Sequence, residues 1–214
     1  MPWIAIALTI GGLLAACGLV FAERKNLSAV RWLAKLAAST AFVLVALSLG
    51  AATSIYGQLV LLALVLSLIG DAFLLSNRSA AFLSGLGAFL LAHVAFSVAF
   101  ATGALSTTAF FVSLVGAAAI GVSTLRWLWG RLDAAFKVAV AAYVGTIVAM
   151  CTLAIAHSAA SRSWLAAVGA VAFAASDISV ARDRFVVSEF LNRAWGLPVY
   201  YSAQLLLAWS VGSG

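Results

Sequence analysis

Long apolar stretches separated by short polar connections make up almost the whole chain. Eight of them approach the roughly 20 residues that a helix needs to cross a bilayer: 3–22, 31–50, 57–76, 80–102, 107–125, 136–156, 163–181 and 197–212. The connections are rich in Gly, Ser, Thr or charged residues and leave no room for a soluble domain. The pattern predicts an all-α fold: a polytopic membrane bundle with eight transmembrane helices, forming a single domain over residues 1–214.

The composition excludes a soluble protein. Hydrophobic residues make up 65% of the chain and charged residues 8%, whereas about a quarter of a soluble domain is charged. The first apolar stretch resembles a cleaved signal sequence around Cys17 and Ala22, but no Lys or Arg precedes it, as a secretory signal requires. We therefore expect this stretch to remain as the first membrane helix.

The basic residues indicate how the bundle is oriented. Of the 12 Lys and Arg residues, all but Arg162 fall in or beside the odd-numbered connections. By the positive-inside rule these connections are cytoplasmic and both termini are non-cytoplasmic. For this Ala-rich, bacterial-looking chain, that implies an inner membrane with periplasmic termini. The basic residues form no patch, so we expect no nucleic-acid partner.

Two acidic residues lie inside the predicted helices. An Asp at the centre of a membrane helix costs roughly 2.5–3.5 kcal/mol, so its presence indicates a use. Asp71 lies about 7–8 Å and Asp177 about 6 Å inside the cytoplasmic ends of stretches three and seven, at 1.5 Å per residue. Because they share a leaflet and a depth, we predict one site. Alternatively, the two acids only stabilise helix packing. Asp71 would then pair with Lys35, and Asp177 would lie near basic residues of the following connection.

Other polar side chains at depth are candidates for the same site. Each also has a structural interpretation, as a snorkelling charge, an interfacial aromatic residue or an interhelical hydrogen-bonding group. These candidates are Lys35, His93, Tyr200, Tyr201 and Gln204.

The sequence carries only a weak metal signature, and whether a metal assists stays open at this point. It contains no Cys cluster, no HExxH motif and no phosphate-binding loop, and its two histidines fall in different leaflets. We predict neither metal nor cofactor. Cys17 and Cys151 lie in apolar stretches and are interpreted as small core residues.

Four short motifs fall in order along stretches three, four, seven and eight. They are Ser67-x-x-Gly70-Asp71, Phe89-Leu90-x-Ala92-His93, Ser176-Asp177 and Tyr200-Tyr201-x-Ala203-Gln204. In order and spacing they resemble the YhhN family, the lysoplasmalogenase family of membrane proteins, and Lys35 matches a lysine common there. The resemblance covers most of the chain. Phe96 departs from it, since relatives often carry a tyrosine at this position.

The resemblance implies an ether hydrolase, a lysoplasmalogenase. Such an enzyme hydrolyses the vinyl-ether bond of a lysophospholipid to a fatty aldehyde and glycerophospho-ethanolamine or -choline. The resemblance also implies that Asp71 and Asp177 are catalytic. We expect Asp71, the slightly deeper residue, to be the acid and Asp177 the base, with the reverse assignment open.

The remaining candidates are expected to hold the substrate. Lys35, Tyr200, Tyr201 and Gln204 would position the headgroup phosphate or the water, and His93 would lie toward the acyl tail. The expected partners are the lysophospholipid and membrane lipids, and the oligomeric state stays open.

Two other functions compete with hydrolysis. A proton-coupled transporter or lipid-handling protein would also use intramembrane Asp and His residues, although the sequence lacks the internal repeats typical of transporters. A purely structural membrane protein is the third possibility.

Overall fold

The structure, a computed structural model, describes residues 2–76 and 78–213, without the side chain of Ser213. Eight α-helices account for most of these residues. They are α1 (Pro2–Lys25), α2 (Ser28–Ser48), α3 (Ile55–Phe73), α4 (Ser79–Ala101), α5 (Thr107–Trp129), α6 (Ala134–Ser161), α7 (Leu165–Phe185) and α8 (Phe190–Trp209). Short 3₁₀ turns cover 51–53 and 210–213, and no strand occurs in the described ranges. The predicted all-α fold is confirmed.

Seven helices, α1 to α7, are long and apolar enough to cross a membrane. They indicate an integral membrane protein. The eighth helix is present where the sequence predicts it, but it does not meet the same criterion. Its polar residues explain this, because Asn192, Arg193 and Gln204 interrupt an otherwise apolar stretch. All three belong to the part of α8 that faces other helices or the cavity described below.

Short side chains at the helix starts define where several helices begin. The side chain of Ser54 accepts a hydrogen bond from the Gly57 N–H, and Asp133 accepts one from the Phe136 N–H. These caps satisfy backbone donors that the first helical turn leaves without partners.

The helices pack mainly as sequential pairs, α1 with α2, α3 with α4, α5 with α6 and α7 with α8. In addition, α8 packs against α1, α2 and α3, and α6 packs against both α4 and α7. Two groups of three helices therefore meet: α2, α3 and α8 on one side, and α4, α6 and α7 on the other.

Two glycines allow the closest helix approaches. A Cβ at Gly70 would lie 2.7 Å from the Phe89 ring, and one at Gly196 would overlap the Ser179 hydroxyl. Small residues at such crossings let membrane helices approach closely. Gly70 directly precedes Asp71, so this contact sets the distance between α3 and α4 at the acid.

Two expectations about position need correction. Cys17 is exposed on the outer face of α1, while Cys151 is buried, so only the second is a core residue. Two helix ends also differ from the predicted stretches, because α3 ends at Phe73 and α7 continues to Phe185. Asp71 lies about 3 Å and Asp177 about 12 Å from these ends, at 1.5 Å per residue.

Candidate active site

A cavity of about 870 Å³ lies among the helices, and both intramembrane acids line it. At one end Glu23, Arg31 and Arg193 line it; we call these three residues the charged end. An apolar groove follows the facing sides of α5 and α6. Its lining includes Gly116, Ala117, Ile120, Val144, Ile147, Val148 and Ile155. The cavity therefore joins charged groups, two carboxyls and an apolar groove.

The Asp71 carboxyl is surrounded by donors from α2 and α8. Its Oδ1 lies 3.3 Å from Lys35 Nζ. Its Oδ2 accepts hydrogen bonds from the Ser39 hydroxyl at 2.6 Å and from the Tyr200 hydroxyl at 2.8 Å. The side chain is almost entirely buried. One cation and two hydroxyl donors therefore surround this carboxyl.

Helical spacing explains how α2 supplies two of these partners. Lys35 and Ser39 are four residues apart, so they lie on one face of the helix. The Ser39 hydroxyl also contacts the Lys35 carbonyl at 3.0 Å. Behind it, the Tyr201 hydroxyl lies 3.5 Å from both the Ser39 hydroxyl and the Lys35 carbonyl. Tyr201 therefore supports the residues that hold Asp71.

The Asp177 carboxyl has a different set of partners, from α4 and α6. Its Oδ1 accepts a hydrogen bond from the Tyr143 hydroxyl at 3.0 Å. Its Oδ2 lies 3.2 Å from His93 Nε2, and His93 is completely buried. No Lys or Arg in the described residues pairs with Asp177.

The protonation of His93 follows from its second nitrogen. Nδ1 lies 2.6 Å from the Phe89 carbonyl oxygen, which can only accept a hydrogen bond. Nδ1 therefore carries a hydrogen, and Nε2 can accept a hydrogen bond only when the ring is neutral. Nε2 and Asp177 Oδ2 face each other without another hydrogen-bond partner in the described residues. A single proton between them makes the contact favourable.

Aromatic rings separate the two groups of polar residues. Phe173 stacks on the His93 ring, with centroids 4.4 Å apart, and its ring lies 5.6 Å from that of Tyr200. Phe89 contacts both Phe173 and Tyr200 edge to face. These rings fix the side chains that contact the acids.

The structure brings most of the predicted residues together. Lys35 and Tyr200 contact Asp71 and line the cavity. His93 contacts Asp177 and is not among the residues that line the cavity, and its place toward the acyl tail stays a prediction. Gln204 is fully buried, its amide has no hydrogen-bond partner in the described residues, and it does not line the cavity.

Two residues that contact the acids, Ser39 and Tyr143, were not among the predicted site residues. Ser39 lies one helical turn after Lys35 on the same face, and this spacing could have identified it. Tyr143 lies nine residues into α6, about 14 Å from its start. A tyrosine at that depth is remote from the interfacial belt, and this position could have identified it.

The described residues offer no candidate metal site. No three His, Cys, Asp or Glu side chains within 2–76 and 78–213 are close enough to hold a metal ion together.

Comparison with known proteins identifies relatives over most of the chain. The model of the YhhN family matches residues 30–211. The chain is 33% identical over 153 residues to lysoplasmalogenase TMEM86A of Bos taurus, covering 69% of this chain and 62% of that protein. It is 35% identical over 146 residues to a lysoplasmalogenase of Mycobacterium tuberculosis, covering 65% and 54%. The chain thus spans less than two thirds of the length of these relatives. No solved structure matches it.

Proposed function

The chain belongs to the YhhN family, and from this membership we propose that it is a lysoplasmalogenase. It would hydrolyse the vinyl-ether bond of a lysoplasmalogen to a fatty aldehyde and a glycerophospho-alcohol. One observation carries the proposal: Asp71 and Asp177, from distant helices, line one cavity with an apolar groove. The similarity to proteins named lysoplasmalogenase supports the same conclusion.

The reaction requires two different carboxyl groups. Protonation of the β-carbon of the vinyl ether produces an oxocarbenium ion. Water adds to this ion and loses a proton, and the resulting hemiacetal collapses to aldehyde and alcohol. One group must therefore deliver a proton, and the other must be ionised to stabilise the cation and accept the proton of the water. Glycosidases divide the work between two carboxyls in the same way.

The contacts of Asp177 favour it as the acid. It has no cationic Lys or Arg partner in the described residues, and its Oδ2 faces His93 Nε2 at 3.2 Å. We assign the proton that is delivered to the β-carbon to the Asp177 carboxyl, which lines the cavity. His93 does not line the cavity, so it acts as a positioning residue that holds the Asp177 carboxyl through Oδ2.

The contacts of Asp71 favour it as the base. Lys35, Ser39 and Tyr200 stabilise its negative charge. Such a carboxylate stabilises an adjacent oxocarbenium ion and accepts a proton from the attacking water. This assignment reverses the one expected from depth. The reason is that partners, rather than distance from the helix end, determine the charge of a buried carboxyl.

The apolar groove suits the alkenyl chain. Its lining on α6 extends from Val140 to Ile155, about 22 Å at 1.5 Å per residue. That is more than half of the roughly 30 Å hydrocarbon core of a bilayer. A single long chain therefore fits with its ether end near the acids.

An aldehyde assay tests the proposal. Purified protein in lipid nanodiscs is incubated with 1-alkenyl-glycerophosphoethanolamine, and aldehyde release is measured. The 1-alkyl and 1-acyl analogues serve as controls. We expect aldehyde only from the alkenyl lipid, and a loss of at least 100-fold in kcat for Asp71→Asn and for Asp177→Asn. The absence of aldehyde from wild-type protein would contradict the proposal and is the result expected of a transporter or a structural protein. Full activity in either folded variant would also contradict it.

A further inference from the structure

The charged end of the cavity contains one carboxylate between two guanidinium groups. Glu23 is near the end of α1, Arg31 is in the first turn of α2, and Arg193 is in the first turn of α8. Arg31 Nε lies 4.0 Å from Glu23 Oε1, and Arg193 Nε lies 3.6 Å from Glu23 Oε2. The Glu23 side chain is only 13% exposed. Three helices thus place opposite charges around one point of the cavity.

The distances between the arginine Nε atoms and the Glu23 oxygens are too long for direct charge-assisted hydrogen bonds. Charge-assisted N–H···O bonds are typically about 2.7–2.9 Å long. The Nε atoms of both arginines are buried and make no hydrogen bond within the described residues. Within the charged end, two guanidinium groups share one carboxylate. These groups can therefore bind a further anion.

The distance to the acids matches the size of a glycerophospholipid. Arg31 precedes Lys35 by one helical turn, about 6 Å along α2, and Lys35 contacts Asp71. Three glycerol carbons and an oxygen separate an ether oxygen at glycerol C1 from the phosphorus. The five bonds of this extended zigzag advance about 1.2 Å each and so reach about 6 Å. An ether bond at the acids therefore places the phosphate near Arg31.

Hydrogen bonds in the connection between α7 and α8 fix the position of Arg193. The Asn192 amide donates to Asp183 Oδ1 at 3.2 Å and to the Val187 carbonyl at 2.7 Å. The Glu189 N–H also donates to Asp183 Oδ1, at 3.2 Å. Because Asn192 is buried and adjacent to Arg193, this network orients the first turn of α8.

We propose that Glu23, Arg31 and Arg193 form the subsite for a zwitterionic phosphodiester headgroup. The two guanidinium groups bind the phosphate, and Glu23 binds the ammonium group. The headgroup then supplies one negative and one positive charge to a site with two positive charges and one negative charge. The proposal rests on the proposed function only in taking a lysolipid as the ligand.

Binding of a lipid that cannot be hydrolysed tests this subsite separately from catalysis. The probe is 1-alkyl-glycerophosphoethanolamine, and its Kd is measured with purified protein in nanodiscs. We expect Arg31→Gln and Arg193→Gln each to raise the Kd about tenfold, the loss typical of a hydrogen bond to a charged group. The matched control is Arg24→Gln, which removes an exposed charge next to Glu23. It should leave the Kd unchanged.

The role of Glu23 is tested by changing the headgroup. The phosphoglycerol analogue keeps the phosphodiester but lacks the ammonium group. Glu23→Gln should weaken binding of the phosphoethanolamine lipid and leave binding of the phosphoglycerol lipid equal or tighter. Free glycerophosphoethanolamine, without a chain, should compete at high concentration with wild-type protein and less well with Arg31→Gln.

The outcomes separate the two proposals. If Arg31→Gln and Arg193→Gln bind the probe as tightly as Arg24→Gln does, the subsite is refuted even when wild-type protein releases aldehyde. If the arginine variants lose binding but wild-type protein releases no aldehyde, the subsite stands and the hydrolase proposal fails. Melting temperatures identify unfolded variants. In that case Arg31→Lys replaces Arg31→Gln, because it keeps the charge but loses the planar pair of donors; its Kd should still rise.

Discussion

The Nε2 atom of His93 lies 3.2 Å from Oδ2 of Asp177, across the contact between α4 and α7. The Phe89 carbonyl accepts a hydrogen bond from the other ring nitrogen, Nδ1, and the Tyr143 hydroxyl donates to the other oxygen of the carboxyl. Asp71, in contrast, contacts a lysine and two hydroxyls. The two acids therefore have environments of opposite character, which is how a protein gives an acid and a base role to the same residue type.

Replacing His93 should impair proton delivery without impairing substrate binding. For His93→Gln we expect kcat to fall by about 10²–10⁴-fold, the usual contribution of general acid catalysis, with little change in KM. The pH dependence of kcat should also change, because the proton-sharing partner of Asp177 is lost. Steady-state kinetics over a pH series measure both. An unchanged pH profile with a raised KM would instead assign His93 to substrate binding.

Removing the Tyr143 hydroxyl should have a smaller effect on the same step. Tyr143→Phe leaves the ring in place but removes the donor to Asp177 Oδ1. We expect kcat to fall about tenfold, the value of one hydrogen bond to a charged group. Tyr56→Phe is the matched control, since that hydroxyl bonds to Ser210 and its residue does not line the cavity. Equal activity of the two variants would contradict a role for Tyr143.

The pair formed by Lys35 and Asp71 should make a large contribution to stability. Removing one partner of a buried pair leaves an uncompensated charge and typically costs about 3–5 kcal/mol. We therefore expect Lys35→Met to lower the melting temperature strongly. The double variant Lys35→Met/Asp71→Asn should recover much of the loss while remaining inactive. Lys25→Met, at the exposed end of α1, is the control. A melting temperature for Lys35→Met equal to that of the control would show that the pair is unimportant.

A large side chain in the apolar groove should shorten the chain that the protein accepts. Gly116 lines the groove, and a Cβ there would meet no atom within 4 Å. Gly116→Phe should therefore fold but fill part of the groove. We expect KM to rise about tenfold for an alkenyl chain of 16 carbons and little for one of 8, the loss of one to two buried methylenes. Gly11→Phe, on an exposed part of α1 outside the cavity, should affect neither.

The hydrophobic pattern alone determined the helices. Membrane helices can be recognised from local composition. An apolar stretch long enough to cross the hydrocarbon core forms a helix there, because a helix satisfies all of its backbone hydrogen bonds internally. The stretch 136–156, for example, is found within Ala134–Ser161. The cost of a carboxyl in such a stretch also identified Asp71 and Asp177, before any information on packing.

Which side chains contact these acids was decided only by the tertiary structure. Counting residues gives a depth only if helices begin in one plane and stand upright. Under that assumption His93 lay far deeper than Asp177, yet the two are in contact. The extension of α7 to Phe185 accounts for part of the difference. Helix rotation and offset depend on contacts between residues distant in sequence, such as Gly70 with Phe89 and Gly196 with Ser179. No local pattern encodes those contacts, so the different partners of the two acids became visible only in the folded chain.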